Sequence, residues 1–158
     1  MLTLSKKTDY ALLALSDLRG LPPSEAVPAR DIAERYQIPA ELMAKILQRL
    51  ARAGIVTSSA GKSGGYRLAR AAGAISVGAV IEAIDGAPAI VHCLKSVDNL
   101  CQQYTTCTVR TPMTRINERI VQMLHLLTVE EIAGDQARAT IALMPMSGTD
   151  WLPTARKQ

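Results

Sequence analysis

The sequence predicts a mainly α-helical protein with one small β-hairpin. Only 3% of the residues are aromatic and none is Phe, so the 48% of hydrophobic residues are mostly aliphatic. Aliphatic residues suit a helical core, whereas sheet-rich proteins usually contain more aromatic side chains. One stretch, residues 55–68, alternates in polarity and contains glycines at 61, 64 and 65, which indicates a hairpin. The length of 158 residues fits one domain or one domain with an appendage.

Two helices are predicted at the start of the chain. Apolar residues recur at helical spacing from Ser5 to Leu18, and Gly20 ends this first helix. Residues 21–28 contain three prolines and are expected to form a loop. A second, short helix is predicted to begin with Pro28 at its first position and to end near Tyr36.

A third helix is predicted from Pro39 onwards, and Gly54 lies where a left-handed residue is expected just past its end. Its predicted apolar stripe consists of Leu42, Met43, Ile46, Leu47 and Leu50. Its opposite face carries Glu41, Lys45, Gln48, Arg49 and Arg52. The second and third helices, joined by a tight turn, have the order of a helix-turn-helix unit.

The alternating stretch completes this unit. Ile55–Ser58 is predicted as one strand and Tyr66–Leu68 as its partner, with a glycine-rich turn between them. Residues 1–75 therefore predict a winged helix-turn-helix domain, in which the third helix enters the major groove of DNA. Lys62 and Arg67 of the wing are expected to contact phosphates or the minor groove. Winged folds also serve as protein-interaction modules, so the order of elements alone leaves that possibility open.

The charge distribution favours an anionic partner for the first half. The chain carries a net charge of +4, but residues 1–75 hold 11 Lys and Arg against 6 Asp and Glu, while residues 76–158 hold 7 against 8. No acidic residue lies between Glu41 and Glu82. A surface of one sign is typical of nucleic-acid binding, although a solvated basic face is the ordinary explanation for such a run.

Helices are also predicted in residues 76–134. Ser76 is a candidate N-cap for a helix that reaches Ile84, and Thr128 with Glu131 fits a capping box that starts a short last helix. Between them, Pro112 is predicted to begin a long helix with a heptad-like seam. The seam consists of Met113, Ile116, Ile120, Met123 and Leu127.

The seam has two interpretations: it packs within its own chain, or it pairs with the same helix of a second copy. We expect a homodimer through residues 112–128, because a helix projecting from a small winged domain has little of its own chain to pack on. His125 is expected to be an ordinary, partly buried residue of this helix. Residues 135–158 lose periodicity and are expected to form a mobile tail.

Three cysteines lie between the predicted helices, in the spacing C-x7-C-x5-C formed by Cys93, Cys101 and Cys107. The residues around them are polar, which does not fit three thiols of a core. Structural zinc sites usually bring ligands in pairs two to four residues apart, and this segment has no such pair. Three more widely spaced soft ligands suit an iron–sulfur cluster, with one position left for another group.

Several classes of protein are not favoured. No apolar run approaches the ~18 residues that span a membrane, and the first residues lack a signal-peptide pattern, so we expect a cytoplasmic protein. An odd number of cysteines does not favour a disulfide framework. No glycine-rich cofactor loop or nucleophile–base pair indicates an enzyme.

The motifs of residues 1–134 resemble those of a known family. They are the opening Leu4–Ala11, the stretch Asp31–Glu34, the run Lys45–Leu47 leading to Ala53–Val56, and above all Gly64–Arg70. With the cysteine segment and the following Arg115–Asn117, they resemble the IscR- and NsrR-type (Rrf) winged-helix iron–sulfur regulators. The branch that regulates the SUF iron–sulfur assembly operon is the most similar.

The resemblance implies a homodimeric transcription factor, expected to act as a repressor, whose [2Fe–2S] or [4Fe–4S] cluster sets its affinity for operator DNA. It implies that Cys93, Cys101 and Cys107 bind the cluster. In one branch a His three residues after the last Cys is a ligand, but this chain has Arg110 there. In the nitric-oxide-sensing branch an Asp of the partner subunit's first helix serves, and Asp9 occupies that place. His92, beside the first cysteine, is a second candidate.

The resemblance also implies which residues contact DNA. Ser5 and Lys6 are expected to reach phosphates from the first helix. Glu41 can accept from a cytosine amino group, but Leu42 and Ala44 depart from the polar residues of IscR, so the operator sequence is not inherited. The residues expected at the DNA interface are Ser5, Lys6, Glu41, Leu42, Lys45, Arg49, Lys62, Tyr66 and Arg67.

The alternative is a winged interaction module with a structural zinc site and no DNA role. Colour and salt-dependent binding of duplex DNA distinguish the two, since zinc is colourless and a phosphate contact is weakened by salt.

Overall fold

Helices and one hairpin make up the part of the chain that the computed structural model describes, which is residues 4–22, 24–61, 64–91, 103 and 106–134. The helices are α1 (Lys6–Arg19), α2 (Ala29–Arg35), α3 (Ala40–Arg52), α4 (Val77–Asp85), α5 (Arg110–Leu126) and α6 (Val129–Gly134). Strands β1 (Val56–Ser59) and β2 (Gly65–Leu68) form an antiparallel hairpin between α3 and α4, and a 3-10 turn covers Ala72–Ala74. The predicted fold class is confirmed.

The core is aliphatic and lies where α1, α2, α3 and α4 meet. Leu15, Leu47 and Leu50 are fully buried there, and α4 adds Val80 and Ile84 to the same cluster. Burial of each such side chain stabilises the fold by roughly 1.5–3 kcal/mol. Leu42 differs from the prediction, because it is half-buried at the edge of α3 instead of a member of the core.

The helix ends follow local capping chemistry. Ser5 and Ser76 are N-caps, and their hydroxyl oxygens accept hydrogen bonds from the backbone N–H groups of Thr8 and Ala79. Pro28 and Pro39 lie one residue before the position expected for them, since each is the N-cap of its helix. Gly54 follows α3 at φ 68°, as predicted for a residue just past a helix end.

The hairpin is joined to the loop before α2. Val56 pairs with Leu68 and Ser59 with Gly65, so β1 begins one residue later than predicted, and β2 begins at Gly65 instead of Tyr66. Val27 extends this pairing, because its backbone N–H donates to the Tyr66 carbonyl at 3.0 Å and its carbonyl accepts from the Tyr66 N–H at 2.8 Å. A Cβ on Gly65 would lie 2.4 Å from the Val27 carbonyl carbon, so only glycine permits this approach.

Replacing Gly65 with Ala is expected to destabilise the protein by about 1–3 kcal/mol, because the methyl group meets rigid backbone and forces Val27 away from the wing. Urea unfolding followed by circular dichroism measures the change. Gly73→Ala is the matched control, since a Cβ there would lie 3.9 Å from its nearest neighbour. Equal stability of the two variants would contradict the role assigned to the close approach.

Helix α5 differs from the prediction in its start and in its seam. It begins at Arg110, two residues before Pro112. The N–H groups of the first turn of a helix have no acceptor within the helix, so a proline, which lacks an N–H group, is tolerated there. None of its residues is buried. Met113 and Ile120 are half-buried, whereas Ile116 and Met123 are 46% and 61% exposed. The predicted seam is therefore split into a half-buried part and an exposed part, and Leu127 lies beyond the helix.

The chain after α5 is bonded to the residues at the start of α4. The Val77 N–H donates to the Leu127 carbonyl, and the Val129 N–H donates to the Ile75 carbonyl, at 2.8 and 2.9 Å. The predicted capping box is confirmed, because the Thr128 N–H donates to the Glu131 carboxylate and the Glu131 N–H donates to the Thr128 hydroxyl. None of the described helices is long and apolar enough to cross a membrane. The predicted tail, residues 135–158, lies outside the described residues.

Candidate nucleic-acid interface and sensor segment

The exposed face of α3 is polar and charged. Glu41, Lys45, Gln48 and Arg52 are all exposed, and at 3.6 residues per turn they lie within about 60° of arc. Such a stripe of donors and acceptors on one helix can read base edges in a major groove. Sequence reasoning placed Gln48 and Arg52 on this face but did not include them among the expected DNA contacts, and the structure shows that both share the exposed stripe with Glu41 and Lys45.

Arg49 lies on the flank of this stripe, beside the half-buried Leu42. Its Nη1 donates a hydrogen bond of 2.7 Å to the backbone carbonyl of Ile84, in the last turn of α4. The predicted DNA contact at Arg49 is therefore a residue already engaged with another helix of its own chain.

The wing carries two more of the expected contacts that the structure describes, Tyr66 and Arg67. Arg67 is exposed on β2, and its Nε donates to the Thr57 hydroxyl of β1 at 3.3 Å. Tyr66 is half-buried and packs against the core. Lys62 lies outside the described residues. The wing thus presents Arg67 to solvent on a strand whose position Val27 fixes.

The N-terminus of α1 holds Ser5, Lys6 and Asp9. Lys6 is exposed, but the Ser5 hydroxyl, besides capping α1, donates to the Asp85 carboxylate at 2.8 Å. Asp9 is exposed in the first turn, and its carboxylate accepts no side-chain hydrogen bond within the described part of the chain.

Asp85, at the end of α4, is held by two hydroxyls of α1. Besides the Ser5 bond, Thr8 Oγ1 donates to its second carboxylate oxygen at 2.7 Å, and Thr8 is fully buried. Partial burial is the largest influence and raises the pKa of Asp85, but the hydrogen bonds from Ser5 and Thr8, with nearby Lys7, together lower it below the ordinary 3.8. The charged carboxylate is thus the form that the folded protein favours.

Asp85→Asn is expected to lower the free energy of unfolding by about 1 kcal/mol at pH 7, a value reduced for the partial exposure of the site. Because the folded pKa is lowered, the stabilisation from Asp85 is present above pH 3.8 and is lost as the pH falls through the folded value. The difference between wild type and variant should therefore shrink from pH 5 to pH 3 in urea unfolding. Glu25→Gln, at an exposed loop position, is the control, and a difference constant with pH would contradict the assignment.

The connection between α4 and α5 contains the three cysteines and is called the sensor segment below; the structure describes it in part. Cys107 is a free, half-buried thiol three residues before α5. Cys93, Cys101 and His92 lie outside the described residues, and within residues that are described no three His, Cys, Asp or Glu side chains gather as a metal group. The entrance of the segment is tied to α5, because the Ile90 N–H donates to Asn117 Oδ1 at 3.0 Å.

Comparison with known proteins identifies the family. Residues 4–135 match the Rrf2 family, described as "Iron-dependent Transcriptional regulator". The HTH-type transcriptional regulator IscR of Vibrio vulnificus is 34% identical over 132 residues, which cover 84% of this chain and 77% of that protein. This chain belongs to the Rrf2 family. IscR of Yersinia pseudotuberculosis is likewise 34% identical, over 133 residues that cover 84% of this chain and 80% of that protein.

Solved structures share the Rrf2 fold. The global cysteine regulator CymR of B. subtilis superposes with a TM-score of 0.68 at 23% identity, over 85% of this chain and 98% of that one. T. potens IscR superposes with a TM-score of 0.65 at 24% identity, over 89% and 92%. The Rrf2 relatives are named as transcriptional regulators, which confirms a DNA-binding regulator as the class of this protein.

His125 has a defined place in this Rrf2 chain that sequence reasoning missed. Its ring nitrogens lie 3.2 Å from Ser76 Oγ and 3.2 Å from Glu82 Oε1, so it joins the end of α5 to α4. A Cβ on Gly78 would lie 2.7 Å from the imidazole ring, so glycine lets the ring lie against α4. His125 was expected to be an ordinary, partly buried residue, whereas it is exposed and contacts two residues at the start and in the middle of α4.

Proposed function

We propose that this Rrf2 regulator is a homodimeric repressor whose affinity for operator DNA is set by an iron–sulfur cluster. The observation that carries the proposal is the position of the three cysteines in the connection between α4, which packs in the core, and α5, which exposes part of its apolar face. The family description as iron-dependent and the IscR relatives support it.

The DNA-binding part of the proposal uses two surfaces. The stripe Glu41–Arg52 of α3 is assigned to the major groove, and Arg67 of the wing to the phosphate backbone or minor groove. The excess of basic residues in residues 1–75 attracts the duplex without regard to sequence. The stripe then provides the groups that distinguish one base pair from another.

The dimer part uses α5. Ile116, Met123 and Leu126 expose 46%, 61% and 78% of their surface, although all three are large apolar residues on one helix. Exposed apolar patches of this kind mark interaction surfaces. A second copy of the same helix is the partner we assign, because helix-turn-helix proteins read paired half-sites as symmetric dimers.

The donor chemistry fits an iron–sulfur cluster. Thiolates are the usual protein ligands of these clusters, and Cys107 is a free, half-buried thiol. Cys93, Cys101 and Cys107 would hold the cluster, with Asp9 of the partner subunit as the first candidate for the remaining position and His92 as the second. A bound cluster would supply a rigid, redox-sensitive link within the segment, and both [2Fe–2S] and [4Fe–4S] forms are compatible with three cysteines.

The resemblance to the SUF branch assigns iron–sulfur assembly genes as the targets, with iron, redox or nitric-oxide stress genes as the wider set. The structural zinc alternative finds no support in the comparisons.

The test starts from anaerobically purified protein. We expect a brown solution that contains iron and acid-labile sulfide, and we expect this protein to enrich a common duplex from a random pool of DNA. Affinity for that duplex is then measured before and after the cluster is removed. A colourless protein without iron would overturn the cluster, and failure to enrich any duplex would overturn operator binding.

A further inference from the structure

The last turn of α4 is bonded to α3, the proposed recognition helix, and to the first turn of α1. The carbonyl of Ile84 accepts from Arg49 Nη1 of α3 at 2.7 Å, and the next residue, Asp85, accepts from Ser5 and Thr8 of α1. Seven residues after Gly86 the chain reaches Cys93. Two adjacent residues therefore join the start of the sensor segment to α1 and to α3.

The Arg49 bond has a clear physical reason. The last four carbonyls of a helix have no partner within it, and of these the Glu82 carbonyl accepts from the Gly86 N–H. The Ile84 carbonyl instead takes the Arg49 guanidinium, whose positive charge also complements the carboxyl end of the helix dipole. Arg49 thus acts as a C-terminal cap of α4 provided by the recognition helix.

The position of Arg49 on α3 agrees with this role. It lies about 40° from Lys45 on the helical wheel, outside the stripe of Glu41, Lys45, Gln48 and Arg52 and on the side of Leu42, which packs against the core. Arg52, by contrast, lies within the stripe. The two arginines of one helix therefore serve different surfaces.

We propose that Arg49 is a positioning residue that couples the sensor segment to the recognition helix, and that it does not act as a DNA contact. A displacement at the end of α4 moves α3 through the Arg49–Ile84 bond. The same displacement moves the first turn of α1 through the bonds of Asp85 to Ser5 and Thr8, and Thr8 immediately precedes Asp9. The inference rests on the proposed function, since it requires that the state of the cysteine segment changes DNA affinity.

The experiment compares Arg49→Met, Arg49→Lys and Asp85→Asn, with Arg52→Met as the control on the same helix. Affinity for the duplex selected by the wild-type protein is measured with and without the cluster, each over a range of salt concentrations. The response ratio is the affinity of the loaded protein divided by that of the cluster-free protein, or the inverse of this quotient if the cluster-free protein binds more tightly. The salt slope of the cluster-free protein reports phosphate contacts independently of the cluster.

We expect a wild-type response ratio of about 5–150. In Arg49→Met the ratio should fall to about one while the salt slope stays at the wild-type value. Arg49→Lys should restore part of the ratio, because its ammonium also donates to a carbonyl, and Asp85→Asn should lower the ratio although a carboxylate is no phosphate ligand. Arg52→Met, in the stripe assigned to the major groove, should lower the affinity of the loaded and the cluster-free protein alike and so keep the ratio.

A full ratio in Arg49→Met, with a slope lower by about one unit, would show that Arg49 is a phosphate contact and would overturn the proposal. A full ratio in both Arg49→Met and Asp85→Asn would also overturn it. If Arg49→Met does not fold, Arg49→Lys and Asp85→Asn decide. A wild-type ratio of one, with salt-dependent binding intact, would instead overturn cluster control itself and the coupling with it.

Discussion

Replacing both Ile116 and Met123 with Glu is expected to convert the proposed dimer to a monomer and to lower its affinity for a two-half-site operator by about 100-fold or more. Both side chains are exposed in the single chain, so the fold should change in stability by less than about 0.5 kcal/mol. In a dimer they would be buried, and two carboxylates would then oppose association. The loss of affinity follows because a monomer binds each half-site without the effective concentration that a linked second half provides.

Sedimentation velocity gives the mass, and titration of the selected duplex gives the affinity. Glu118→Gln is the matched control, because it changes the charge of an exposed position about 140–160° around α5 from Ile116 and Met123. The control should remain a dimer with wild-type affinity. A doubly substituted protein that stays dimeric would exclude this face of α5 as the subunit interface.

Replacing Cys93, Cys101 and Cys107 together with Ala is expected to abolish bound iron and to change operator affinity by about 5- to 150-fold, the range of a typical coupling free energy of 1–3 kcal/mol. The physical reason is that the segment then loses its internal link, while the helices on either side keep their own packing. Iron analysis, visible absorbance and duplex titration under anaerobic conditions measure the two effects.

Thr108→Ala is the control for this substitution, since it changes an exposed residue next to Cys107 and removes no thiol. It should retain the iron and the wild-type affinity. Loss of iron from the triple variant with unchanged affinity would contradict the coupling of cluster and DNA, whereas retained iron would contradict the assignment of the ligands.

Much of the fold is predictable from local patterns. The apolar spacing of α1 and α3, the serine N-caps, Gly54 after α3 and the Thr128–Glu131 capping box each depend on residues within a few positions of one another. These features can therefore be predicted from the sequence alone. The same applies to the wing, where glycines separate two short alternating runs.

The contacts that organise the site are not local. Arg49 and Ile84 are 35 positions apart, and Thr8 and Asp85 are 77 apart. Nothing in a helical period indicates that Arg49 caps another helix or that Ser5 bonds to Asp85, so these two contacts were not predicted. His125 was underestimated for the same reason, because its partners belong to a different helix.

The seam of α5 shows a further limit of periodicity. A heptad pattern identifies apolar positions but not which of them face the chain's own core. In this helix Met113 and Ile120 turn partly toward the protomer, and Ile116 and Met123 turn away. The sequence therefore correctly predicts a helix with an apolar face. Which of its apolar residues are half-buried and which are exposed depends on where α4 lies.

The bridge between Val27 and Tyr66 has a consequence for the choice of operator. Because the hairpin is bonded to the segment that leads into α2, the wing is held against the helix-turn-helix unit. In the proposed dimer, the wing and α3 would reach a half-site together, and discrimination between operators would depend strongly on the phase of the two half-sites. With about 10.5 base pairs per turn, one inserted base pair rotates the second half-site by roughly 35°. A protomer whose wing is fixed to its helix-turn-helix unit cannot compensate for that rotation by an internal movement.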